Sequence, residues 1–361
     1  MAINVTTPYL PSLETYTEYL KGIWQREWLT NNGPLVNELE LKLKEYLQVP
    51  HLLYINNGTI ALQIAIKALQ LKGEIITTPF SYVATVSSLV WEGCKPVFVD
   101  IDKDSLNINP QLIEDAITPN TSAILATHVF GNPCDIDAID KIAKKHNLKV
   151  IYDAAHCFGT KYKGKSVFEF GDIVTTSFHA TKLFHTVEGG AVFTSDPELL
   201  KEMALLRNFG HNGPEHFDAV GINGKNSEFH AAMGLANLQD IEAILASRKN
   251  QSLHYDKWLT NPKLKKIELN SKADFNYAYY PVVFESESVL LKVKHELEAN
   301  RINPRRYFYP SLNTVEIYKS ENTLPVSESI SKQILCLPMY HKLSNEEIDY
   351  VCRILLRALN N

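Results

Sequence analysis

Lys182 stands in TTSFHATKLFHTVEGGAVFTSD, residues 175–196, among hydroxyls, histidines and glycines rather than on a polar, solvated face. A lysine amine stripped of its usual surroundings is a nucleophile for carbonyl carbon. Three other features could work beside it. Asp153 follows the apolar run KVIY and precedes Ala-Ala, so its carboxylate either caps the next segment or binds something. Asn57-Gly58-Thr59 joins the run LLYIN to a helical pattern. Glycine there allows close backbone approach, and free amides at a helix start attract phosphate; an ordinary helix cap serves equally on that segment alone. Tyr82, in TTPFSYVAT, could lay its ring on a flat ligand or simply fill core.

These groups need elements that bring them to one place. Through the first two thirds, apolar runs of strand length alternate with helical patterns. HLLYINN, EIITTPF, CKPVFVDID, TSAILATHVF and KVIYDAAH read as strands; GTIALQIAIKALQLKG, YVATVSSLVWEG, NPQLIEDAI and DIDAIDKIAKKHN read as helices. This rhythm predicts βαβ units and a mostly parallel sheet flanked by helices. GDIVTTSFH and GGAVFTSD flank Lys182 as two more strands, and so short a connection suits an antiparallel pair. After about residue 240 the long helix DIEAILASRKNQSLHYDKWL leads out. YAYYPVVFE (strand), VLLKVKHELEANRI (helix), the loop NPRRYFYPSLN and the helix NEEIDYVCRILLRAL follow. The expectation is an α/β chain with a large domain, 1–240, including an N-terminal arm, and a small C-terminal α/β domain, 241–361.

Composition narrows the partners. A chain of 361 residues with 45% hydrophobic and 21% charged residues can build sizeable cores. Its formal net charge of −5 argues against a nucleic-acid partner, since phosphate backbones select basic surfaces. The five cysteines are scattered with no CxxC spacing, so neither a disulfide framework nor a metal site is indicated. The opening MAINVTTPYLPSLETYTEYL lacks a basic start followed by an apolar run, and no stretch has the roughly 18 apolar residues of a membrane span. A cytoplasmic protein is expected.

In an open parallel sheet, ligands bind outside the carboxyl ends of the strands, where all four features fall. A phosphate cradle, a stacking ring, a carboxylate and a lysine amine are the parts that hold pyridoxal 5′-phosphate. The amine forms a Schiff base, and the carboxylate keeps the pyridine nitrogen protonated so that the ring withdraws electrons.

The residues that carry this reading also carry a resemblance. WLTNNGPLVNELE, NNGTIALQIAIKAL, TTPFSYVAT, VIYDAAHCFG, SFHATKLFHTVEGGA, GINGKNSEFHAAMGLANL and ILCLPMY together resemble the DegT/StrS sugar aminotransferases, fold-type I pyridoxal-phosphate enzymes, over nearly the whole chain. The resemblance implies that Lys182 bonds the cofactor and that Asp153 faces its ring nitrogen. His156 would meet its phenolic oxygen, Tyr82 would stack on the ring, and Gly58, Thr59 and Ser177 would hold the phosphate. Asn223, in the GxN motif, would reach that phosphate from the other subunit of a homodimer with shared active sites. Lysine rather than the histidine of the family's dehydratases favours transamination, with L-glutamate as donor and 2-oxoglutarate as product. The form of NNGPLV and SFHATKLFHT is most similar to members that aminate C4 of a dTDP-linked 4-keto-6-deoxyglucose.

For the substrate, His185, Arg305 and Tyr307 are the candidates, with Arg306 beside them. Guanidinium groups bind phosphate in fork geometry. His179 could line the site, whereas His128 reads as a structural histidine. Two further readings stay open at this point. A pyridoxal-phosphate lyase or desulfurase would use the same scaffold, although no cysteine sits in a mobile Gly/Ser-rich loop. A non-catalytic regulatory relative is the other, and it would not need Lys182 and Asp153.

Overall fold

The computed structural model describes residues 2–320 and 322–360. Its centre is a sheet of seven strands in the order His51–Ile55, Gly190–Thr194, Ile173–Ser177, Lys149–Asp153, Thr121–Thr127, Glu74–Thr77, Lys95–Phe98. Gly190–Thr194 runs antiparallel to both its neighbours and every other pairing is parallel. The expected short antiparallel return after Lys182 is therefore present. Helices cover both faces, so strands such as LLYI and VIYD are buried without alternation, as parallel strands are.

The interior on one face gathers Leu35, Leu39 and Leu43 of helix Pro34–Leu47 with Tyr152, Phe168 and Phe193. On the other face, helix Gly58–Ala68 buries Ala61, Leu62, Ile64, Ala65 and Ile66 against Ile75, Leu125 and Ile151. Helix Ile241–Trp258 leaves the first core through Ile241 and Ile244 and enters another at Tyr255. That second core forms around the sheet Leu264–Lys265, Tyr280–Phe284, Ile334–Leu337, under helices Glu287–Ala299 and Asn345–Asn360.

Polar ties bind the two parts. Asp100, beyond the edge strand Lys95–Phe98, accepts the amides of Val326 and Ser327 and so caps the helix Pro325–Gln333. Buried Arg248 donates to the carbonyls of Ala278 and Met339. At the chain's start, Ile3–Asn4 pairs in parallel with Ile302–Asn303, so the N-terminal arm crosses to the C-terminal part. One expected element differs. NPQLIEDAI forms two single-turn 3-10 segments, Pro110–Leu112 and Glu114–Ala116, instead of a helix. Ile113 is the apolar residue buried there, and a single anchor does not hold an amphipathic helix on a core.

Candidate active site

The carboxyl ends of the parallel strands open into a cavity of about 330 Å³. Gly58, Thr59, Tyr82, Asp153, His156, Ser177, Lys182, Arg305 and Tyr307 line it, with His179, Glu188, Tyr279 and Phe308. Most of the residues expected from the sequence, His179 among them, thus meet around one space.

Lys182 lies between the strands Ile173–Ser177 and Gly190–Thr194, on a loop laced by its own backbone. Phe178 donates its amide to Gly189, Ala180 to Val187, Lys182 to His179, and Thr186 to Phe178. Burial lowers the amine to about 8, partly opposed by the charge of Asp153. Such an amine is free of its proton far more often than an ordinary lysine, as attack on a carbonyl requires. Asp153 ends its strand buried, and burial raises its carboxyl above the usual range. Hydrogen bonds from Thr85 Oγ1 (2.7 Å) and the Ala155 amide (3.2 Å), with the charge of Lys182, pull the other way.

One end of the cavity is built by close approach. Helix Gly58–Ala68 starts against the end of strand Ile173–Ser177: a Cβ on Gly58 would lie 2.9 Å from that of Ser177. Asn57 caps the helix, its Oδ1 accepting the Ile60 amide at 2.8 Å, and the amides of Gly58 and Thr59 precede the first intrahelical bonds. The cap is therefore present, and it leaves the amides of Gly58 and Thr59 without a backbone partner in the helix.

His156 is buried, its Nδ1 accepting the Phe130 amide at 3.2 Å. Its ring lies nearly parallel to those of Phe130 and Phe308, at 10° and 9°. Burial, then the charge of Lys182, holds its basicity well below the usual histidine range. Tyr82 caps the helix Val83–Trp91 and is exposed at the mouth. Arg305 projects over the Tyr307 ring at 5.5 Å. Arg306 turns away, bonded to Glu287 Oε1 at 2.7 Å and lying 3.5 Å over the Tyr309 ring.

Besides Arg306, the expected residues His185 and Asn223 lie elsewhere, while His128 is structural, as its sequence suggested. His185 is 1% exposed; its Nε2 meets the Tyr9 carbonyl at 2.7 Å and its Nδ1 takes the Val187 amide, so its ring is spent within the chain. Asn223 is exposed outside the cavity, its Oδ1 accepting from Lys225 and its carbonyl from Asn56. His128 is fully buried, stacked on Tyr152, and accepts the Cys134 amide. The sequence reading missed Thr85, Ser81 and Thr127, whose hydroxyls are 2.7 and 2.9 Å apart in a chain ending on Asp153. The signal available was a serine and a threonine four apart at a helix start, too common to single out.

The residues present fit pyridoxal phosphate. The cradle between Gly58 and Ser177 is too narrow for one more carbon, a buried carboxylate faces the space, and the one lysine lining it carries a weakened proton. A wound α/β sheet with this site defines a fold-type I pyridoxal-phosphate-dependent enzyme.

Residues 13–356 match the model of the DegT/DnrJ/EryC1/StrS aminotransferase family, and the chain belongs to that family. It is 44% identical over 355 residues to the dTDP-4-amino-4,6-dideoxy-D-glucose transaminase of Shigella dysenteriae, covering 97% of each. Among solved structures it resembles DesI in the presence of its TDP-sugar product, with a TM-score of 0.94 and 32% identity over 99% of this chain and 93% of that one. Helicobacter pylori PseC, an aminotransferase in the biosynthesis of pseudoaminic acid, aligns over 100% of both chains with a TM-score of 0.92 and 27% identity. The chain is a pyridoxal-phosphate-dependent nucleotide-sugar aminotransferase. No helix of the described residues is long and apolar enough to cross a membrane.

Proposed function

We propose that the chain transfers the amino group of L-glutamate to C4 of dTDP-4-keto-6-deoxy-D-glucose. The products are 2-oxoglutarate and dTDP-4-amino-4,6-dideoxy-D-glucose, a precursor for surface polysaccharide such as O-antigen. The observation that carries this reading is the likeness to the Shigella transaminase along 97% of the chain. An amine-bearing cavity built for a phosphate at one end supports it.

When bound, pyridoxal phosphate supplies an electron sink for cleavage of the donor's Cα–H bond. Gly58, Thr59 and Ser177 would hold its phosphate. Asp153 would set a negative charge at the ring nitrogen, and His156 and Tyr82 would bound the ring. Lys182 Nζ would accept the donor's Cα proton and later return one to the sugar carbon. Arg305, held over Tyr307 at the cavity wall, offers a cation to the donor carboxylate or the sugar diphosphate.

Asn223 serves the phosphate of a second subunit in this reading, so that a cytoplasmic homodimer shares its two sites. The division at residue 240 separates the cofactor-holding part from the one that carries Arg305 and Tyr307. Product analysis by NMR tests the substrate: the protein is incubated with glutamate and a panel of 3-keto and 4-keto sugars linked to dTDP or UDP. Amination at C4 of the dTDP-linked 4-keto sugar is expected. Preferred turnover of a 3-keto or UDP-linked sugar would replace this assignment.

A further inference from the structure

His185, three residues past Lys182, is held on every side by its own chain. The Tyr9 carbonyl has no proton to give, so Nε2 carries the hydrogen and donates it across 2.7 Å. Nδ1 is then the bare nitrogen, and it accepts the Val187 amide at 3.2 Å. The His185 carbonyl accepts from Asn237 Nδ2 at 2.9 Å, from the helix Glu228–Gln239. Val187 has φ of +68°, a left-handed conformation that a β-branched residue adopts only when its surroundings hold it there. Its amide goes to His185 and its carbonyl accepts from Ala180, so the ring sits at the point where the Lys182 loop is bent.

The other end of the bond is equally fixed. Tyr9 donates its hydroxyl to Asp240 Oδ2 at 2.8 Å and sets its ring edge against His341. Upstream, Val5 accepts the Met339 amide, and Ile3–Asn4 pairs with Ile302–Asn303, just before Arg305 and Tyr307. The N-terminal arm therefore spans from the wall that bears Arg305 to the loop that bears Lys182.

We propose that His185 is a positioning residue, which ties the Lys182 loop to the N-terminal arm through Tyr9 and thereby fixes where the Lys182 amine stands. The inference rests on Lys182 as the cofactor-bonding lysine. A loop released from this tie keeps its lysine but loses its aim, and ångström-scale misplacement costs up to about 10²-fold in rate.

The test uses full-length holoprotein loaded with pyridoxal phosphate and carrying His185→Phe, His185→Gln or Tyr9→Phe. Readouts are the visible circular dichroism of the bound cofactor, borohydride trapping at Lys182, and kcat and KM for the sugar. His185→Phe should lose most of the visible dichroism and about tenfold or more in kcat, with KM for the sugar changed less than about threefold. His185→Gln keeps an N–H where Nε2 stood and should recover most of both. If His185→Phe yields no soluble protein, Tyr9→Phe carries the test: it frees the arm from Asp240 and should weaken the band in the same direction. A Phe variant that matches wild type, a Gln variant as damaged as Phe, or an unchanged band in Tyr9→Phe when Phe is insoluble overturns the inference. Failure of wild type to trap at Lys182 would overturn the Lys182 reading and this one with it.

Discussion

Thr85 Oγ1 donates to Asp153 Oδ2 across 2.7 Å, from helix Val83–Trp91 to the end of strand Lys149–Asp153. A threonine hydroxyl has one proton, so with Asp153 ionised Thr85 accepts from Ser81, and Ser81 from Thr127. Three neutral hydroxyls thus point their dipoles at one buried carboxylate. This offsets part of the burial that would otherwise protonate Asp153, and the cofactor's ring nitrogen needs the charged form.

Thr85→Val removes the donor while keeping the shape. Hydrogen bonds to charged groups contribute about 1.5–3 kcal/mol, so the half-reaction with glutamate should slow by about tenfold or more while the fold persists. Single-turnover absorbance at several pH values checks this. The carboxyl loses a lowering influence, so the acid limb of the rate profile should move to higher pH; an unmoved limb with a wild-type rate would remove Thr85 from this role.

Lys182 should capture pyridoxal phosphate with a pH dependence of its own. Only the neutral amine attacks, and its midpoint stands near 8 rather than at the ordinary lysine value of 10.5. The capture rate of cofactor-free protein should therefore rise with pH through about 8 and level off above it. Stopped-flow absorbance at constant ionic strength reads this directly, and a rate still climbing steeply between pH 9 and 10 would contradict the lowered value. Lys182→Ala should still bind the cofactor yet turn over at less than about a hundredth of the wild-type rate.

Gly58→Ala tests the phosphate cradle. The added methyl would stand 2.9 Å from Ser177 Cβ and 3.3 Å from its Cα, so helix start and strand end must separate. Loss of one or two phosphate hydrogen bonds should weaken cofactor affinity by about tenfold or more. Equilibrium dialysis against pyridoxal phosphate measures it. Pyridoxal without the phosphate should bind the variant and the wild type alike.

Much of this site could be read from the chain because its parts occupy strand ends. Asp153 and Ser177 end strands of five residues and the Asn57–Thr59 turn lies just past a third, and a wound sheet gathers such positions. His185 shows where that logic stops. Proximity in sequence to Lys182 suggested a substrate contact, but its ring meets the Tyr9 carbonyl instead, and no local pattern encodes that contact. The same holds for Thr85, which serves Asp153 across 68 residues of chain. NPQLIEDAI was misread for the converse reason: its local propensity is helical, but it has almost nothing to bury.

Asn223 supports the last prediction, which concerns assembly. Its side chain is exposed and outside the cavity of its own chain, on the loop before helix Glu228–Gln239. Trp24, Trp28 and Trp91 are also exposed, a large apolar area for a single chain to leave in water. If Asn223 completes a neighbour's phosphate site, Lys182→Ala and Asn223→Asp lesions fall in the same site of a mixed dimer and leave the other site intact. Random exchange makes about half the dimers mixed, each with one working site of two, so activity should recover to about a quarter of wild type. The measurement is turnover after subunit exchange between the two inactive variants, with unmixed samples as controls. If each chain completes its own site, every site in the mixture carries one lesion, no activity returns, and Asn223 has no role across subunits.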